Sequence, residues 1–139
     1  LATVASIVSR SLRLIGVLDA AETPAAIDIQ TGIEVLNAMC VRIEADGIAM
    51  AWTPVALPSD VLPAPVEAEE PLAYLLAVRL AHDFRAQISP EVSVGAEEGL
   101  GKLQADMASR DAARVEYDLP ASGAYGGHYP GISGFLSGR

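Results

Sequence analysis

The sequence predicts an all-α protein: a small bundle of four main helices with a Pro-rich extended connector and an extended C-terminal arm. Three observations carry this expectation. Hydrophobic residues make up 51% of the chain but aromatics only 5%, so the core must be built from Ala, Val, Leu and Ile. That suits closely approaching helices and not a sandwich of β-branched and aromatic strands. Apolar residues recur at three- and four-residue spacings in separate stretches, the helical period. Finally, Pro71 to Ala86 reads PLAYLLAVRLAHDFRA, apolar nearly all round, the pattern of a helix buried on every side. At about 1.5 Å rise per residue this stretch is about 24 Å long, and Arg79, His82 and Asp83 interrupt it. A membrane span needs roughly 20 mostly apolar residues, so the helix must be covered by this chain, a second copy or a partner.

The 139 residues fit one domain with a real core, read as a helical domain over 1–114 and an arm over 115–139. Ala2 to Leu18 forms the first helix: Val4, Ile7, Val8, Leu12, Leu14 and Ile15 share a face opposite Ser6, Ser9, Arg10 and Arg13. Gly16 is its natural stop. Thr23 as N-cap and Pro24 at the first helical position open the second helix, which runs to about Asp46 with Ile29, Ile33, Leu36 and Cys40 as its stripe. Gly47 ends it. Gly32, inside the pattern, either allows a close helix approach or is tolerated at about 1 kcal/mol relative to Ala.

Ile48 to Glu70 changes character. Pro54, Pro58, Pro63 and Pro65 exclude a helix or central strand. An extended connector is expected, with room for short edge strands near Met50–Val55 and with Trp52 as a plug over the core. Connectors of this length are functional or docked. After the central helix, Ser89-Pro90-Glu91 is a second capped start. The fourth helix runs from there to about Arg114, with Val92, Ala96, Leu100, Leu103 and Met107 on one side; Gly95, Gly99 and Gly101 weaken its first half. From Val115 on, glycines alternate with Tyr117, Tyr125, Tyr129 and Phe135, followed by Leu136. Aromatics spaced along a Gly-rich arm read as anchors that order on a partner's surface.

The chain carries few signs of chemistry. The net charge of −9 and pI near 4.5 argue against a grip on nucleic-acid phosphates, while leaving room for a surface that DNA slides past. One cysteine, Cys40, excludes an internal disulfide and a cysteine-built zinc site; within a helical stripe it reads as a small buried hydrophobe. His82 and Asp83 are adjacent on a helix and point apart, and His128 sits in the Gly-rich arm. The pairs Glu69–Glu70 and Glu97–Glu98 lie near helix N-termini, where acids are expected on dipole grounds. No phosphate loop, nucleophile elbow or metalloprotease motif is present. No catalytic residue, cofactor or metal site is therefore assigned. The N-terminal stretch lacks the pattern of a signal peptide, and a soluble, reducing compartment is the default. Arg79, in the middle of the most apolar helix, reads as a charge in need of a partner.

Five segments, in order, are LRLIGVLDAAETP (Leu12–Pro24), GIEVLNAM (Gly32–Met39), ADGIAM (Ala45–Met50), LAYLLAVRLAHDF (Leu72–Phe84) and SPEV (Ser89–Val92). Together they resemble the head-to-tail adaptor proteins of tailed bacteriophages, also called connector, packaged-DNA stabilisation or tail accessory proteins. The resemblance covers about residues 5 to 107; Val41-Arg42 stand where members often carry a tryptophan. It implies an all-helical subunit in a ring, usually of twelve copies, at the head–tail junction of the virion. It further implies as partners the portal protein, the next tail component (tail tube, stopper or nozzle) and packaged double-stranded DNA that passes without specific binding. On this view Leu72, Leu75, Leu76 and Arg79 meet a neighbouring subunit, and Tyr117, Tyr125, Tyr129, Phe135 and Leu136 dock on the portal or a neighbour. Two other classes stand beside it. One is a virion-associated peptidoglycan-cleaving enzyme using Glu69, Glu70, Glu97 or Glu98; the other is a non-phage dimeric helical scaffold with the central helix at a two-fold interface.

Overall fold

The computed structural model describes residues 1–118, with side chains through Arg114. It is a small all-α bundle: α1 (Val4–Leu14), α2 (Ala26–Ala45), α3 (Glu69–Asp83) and α4 (Pro90–Asp118), with one turn of 3-10 helix at Val66–Ala68 leading into α3. Among the described residues there is no strand; the extended connector forms none of the short edge strands it has room for near Met50–Val55, and the sole bridge pairs Thr3 with Val61. The chain divides into two units, Leu1–Ala108 and Ser109–Arg139. The first holds the core. Of the second, the turns of α4 from Ser109 to Arg114 carry exposed side chains.

α3 is the helix the others pack on, most extensively α1, then α2 and the 3-10 turn. Leu72, Leu76 and Leu80, with Ala73 and Ala77, are fully buried and Ala81 nearly so. The small residues at 73, 77 and 81 allow close approach, and Ser11 of α1 exploits it. Its buried hydroxyl lies 2.9 Å from both the Ile7 and the Ala73 carbonyls, sharing one proton between its own helix and α3. A buried hydroxyl without such acceptors would cost about 1–3 kcal/mol.

Gly32 is a close-approach site. A methyl group there would overlap both methyls of Val8 on α1, and Val8 is fully buried and β-branched, so it has nowhere to turn. Gly101, by contrast, faces open space.

Three helices stop in the same way. After α1, Gly16 adopts φ +73° and after α2, Gly47 adopts φ +100°. Val17 N–H then donates to the Leu12 carbonyl, and Ile48 N–H to the Ile43 carbonyl, the Schellman pattern. α3 ends identically with Arg85 at φ 52°, Ala86 N–H donating to the Ala81 carbonyl at 2.9 Å. An arginine in that region carries a Cβ clash that glycine lacks, which is why the stop is not visible in the residue types. At the other ends, Ser89 caps α4 as expected, its hydroxyl accepting from Val92 N–H at 3.3 Å. Thr23 does not cap α2. Pro24 holds the preceding chain extended, and the helix starts two residues later with Ala25 as an N-cap that offers no side-chain acceptor.

The Pro-rich connector is docked, with Met50, Trp52, Val55 and Leu62 all buried. Asn37 on α2 holds it like a strand partner, donating to the Val55 carbonyl at 2.8 Å and accepting from Val55 N–H at 2.9 Å. Further on, the Pro58 and Asp60 carbonyls accept from Ala5 and Val4 N–H, both at 2.9 Å. Those are two of the N–H groups that the first turn of α1 leaves unpaired. Trp52 sits over the core as expected, with its indole Nε1 buried and without a hydrogen-bond partner in the protein.

Substituting Gly32→Ala is expected to destabilise the protein by about 1–2 kcal/mol, the overpacking penalty exceeding the gain in helix propensity. Gly101→Ala gains about 1 kcal/mol. Urea melts of the two variants check this, and equal effects would contradict the packing described for Gly32.

Candidate functional site

The residues expected to face a neighbouring subunit separate into two groups. Leu72 and Leu76 are fully buried in the chain's own core. They face α1 and α2 and have no surface left for a second copy, which corrects the expectation that placed them at an interface. Leu75 is half-buried and Arg79 exposed. Positions 75, 79 and 82 lie four and three residues apart, on one face of a helix, and with exposed His82 they form the outward strip of α3. Arg79 is thus no buried charge, again contrary to expectation: the helix is apolar nearly all round because alanines fill much of it, and its one charged strip points outward.

The anchors of the arm fall at the edge of the structure or beyond it. Tyr117 belongs to the last turn of α4, while Tyr125, Tyr129, Phe135 and Leu136 lie outside the described residues.

A groove with a volume of about 640 Å³ lies between the start of α3 and α4. Its apolar floor is made by Pro71, Tyr74, Pro90 and Val94 together with Gly95 and Gly99. The two glycines set how closely the helices approach: a methyl at Gly95 would stand 2.6 Å from the Tyr74 ring, and one at Gly99 3.1 Å from Pro71 Cα. Their positions four residues apart put them on one face of α4. The sequence showed that spacing, but read alone it signalled only a weakened helix. The rim is acidic, with Glu67, Glu70, Glu91, Glu98 and Asp106 against Lys102.

Arg10 of α1 steadies one side of this groove. Its guanidinium lies 5.9 Å from the Tyr74 ring centroid and 3.8 Å from Glu70 Oε1. Both charged side chains are about half exposed or more, so the ion pair is worth less than about 1 kcal/mol and chiefly orients Tyr74 and Glu70.

The carboxylates that an enzyme would use are otherwise engaged or open to solvent. Glu69 Oε1 accepts from Ala2 N–H at 3.0 Å, tying the chain start to α3. Glu70 faces Arg10, Glu98 lies on the groove rim, and Glu97 is exposed. Among the described residues, no three His, Cys, Asp or Glu side chains gather where they could hold a metal ion, and no helix is long and apolar enough to cross a membrane. Cys40 is fully buried on α2. Burial, reinforced by the Glu44 charge, pushes its thiol from the ordinary 9.0 up to about 12, with Arg79 opposing more weakly. Asp60 is shifted the other way: backbone N–H bonds from Leu57 and Ala56 hold its carboxyl below the usual range, at 2.8 and 3.0 Å to Oδ2.

No protein-family model matches the chain, and no curated protein matches it.

Cys40 is expected to resist iodoacetamide in the native protein at pH 8 and to react on unfolding, because the thiolate is the nucleophile. Its folded pKa is raised, so the thiol favours the fold below the ordinary value of 9.0. That contribution is lost as pH rises from there towards about 12. Rapid labelling of the folded chain, followed by mass spectrometry, would contradict this.

Proposed function

We propose that the chain is a structural head-to-tail adaptor of a tailed phage and has no catalytic activity of its own. In this reading the helical bundle is the ring subunit beneath the portal. The ring extends the DNA channel, retains the packaged genome and offers a platform to the next tail component. The observation that carries the reading is the ordered set of five resembling segments. They coincide with parts of the chain that fix its architecture: the α1 stop and approach to α2 (Leu12–Pro24), the middle of α2 (Gly32–Met39), its stop (Ala45–Met50), α3 (Leu72–Phe84) and the α4 cap (Ser89–Val92).

Physical features agree with that role. A ring needs a heterologous contact, in which two different surfaces of one subunit meet those of its neighbours and the rotation closes. The outward strip of α3 and the α3–α4 groove are two such surfaces on one small body. Duplex DNA carries one negative charge per about 1.7 Å of axis, so a wall made from an acidic chain of net charge −9 repels it and lets it move. The portal protein and the following tail protein are the partners in this reading, and the virion's head–tail junction is its location.

Native mass spectrometry of the protein alone, and mixed with the portal protein of the same genome, tests the proposal. A discrete closed species of about a dozen copies, alone or on the portal, is expected. A stable monomer or dimer that ignores the portal would overturn it, as would turnover of peptidoglycan by the purified chain.

A further inference from the structure

We propose that the groove between α3 and α4 is the receptor for segment 119–139 of a neighbouring copy, so that each subunit of the ring holds the arm of the next. The inference rests on the self-association in the adaptor reading and adds which surface receives the arm.

Three observations meet here. The groove floor is apolar yet open: Val94 is 51% exposed and Tyr74 half-buried. At about 640 Å³ the groove lies within the range of about 300–1,000 Å³ typical of sites that enclose a ligand. The rim carries five carboxylates against the Lys102 ammonium and, beside Glu70, the Arg10 guanidinium, so it remains acidic and favours an occupant that brings apolar anchors without negative charge.

Segment 119–139 meets that description. All of the chain's Asp and Glu residues precede it, and its only basic side chains are His128 and Arg139. It is the longest stretch of the sequence without a carboxylate side chain. It supplies Tyr125, Tyr129 and Phe135, side chains that bury large area with few rotatable bonds, separated by glycines that let a backbone approach a surface closely. Charge also selects the occupant. Two copies of a −9 chain repel each other. The other long acid-free stretch, 1–18, supplies α1 to the core, which leaves 119–139 to approach a carboxylate rim without that penalty.

The test uses the full chain with a photoreactive benzoylphenylalanine in place of Tyr129, prepared in natural-abundance and heavy-nitrogen forms. The two forms are mixed, assembled alone or on the portal, and irradiated, with native mass read on the same sample. The expected result is mixed-isotope cross-links from position 129 to peptides that contain Tyr74 or Val94. Placing a charge on the exposed apolar floor, Val94→Asp, should lower their yield about tenfold, with the helical circular dichroism unchanged. Closed rings whose cross-links fall on the portal or elsewhere on the neighbour overturn this inference and leave the adaptor reading standing. So do cross-links confined to one isotope, or a yield indifferent to the Val94 substitution. A chain that stays monomeric with and without portal overturns both.

Discussion

The close contact of α1 with α3 is the constraint on which the rest of the structure depends. Leucines at 72, 76 and 80 fill the interior, while alanines at 73, 77 and 81 leave room for a neighbouring backbone. Ser11 then bridges the two helices through one shared proton. A larger residue at those alanine positions would push the helices apart and leave that hydroxyl without its second acceptor. α2 is brought in by a similar device, the missing side chain of Gly32 against Val8. The core is therefore held together by small residues at chosen points as much as by large ones, as expected of a chain with so few aromatics.

The connector between α2 and α3 is the second half of the same design. It returns to the start of α1 and supplies carbonyl acceptors to Val4 and Ala5, and Asp60 organises its own turn by accepting from Ala56 and Leu57. Its prolines suit this task, since they carry no N–H that would need an acceptor and they hold the chain extended. The distant segments 2–5 and 58–62 are thus fixed to one another without a sheet, through a single bridge and a few backbone bonds.

Much of this was legible in the residues. The four helices, the glycine stops at 16 and 47, the Ser89 cap and the burial of Cys40 and Trp52 all follow from local rules that act within a turn or two. What was hidden depends on tertiary contact. Arg85 ends α3 in a conformation that favours glycine, Thr23 lies too far ahead of α2 to cap it, and Gly95 and Gly99 matter because of Tyr74 and Pro71, far away in sequence. The interface expected at Leu72 and Leu76 failed for a related reason. A helix rich in alanine looks apolar on every side, and only the positions of α1 and α2 reveal that its Leu75–Arg79–His82 strip faces outward. The groove was illegible as well, because its acids come from the 3-10 turn, α3 and α4 and form a rim only once folded.

The central claim is that this chain closes its own core, so that assembly is left to the outward strip of α3, the acidic groove and the arm. Hydrogen exchange along α3, measured across a wide range of protein concentration, tests that claim most directly. Core amides report the global opening free energy, so the amides of Leu76, Ala77 and Leu80 should be among the slowest in the protein and keep the same protection on dilution. Protection of α3 that vanishes as the protein is diluted would mean that a second copy completes the core, and would contradict the account.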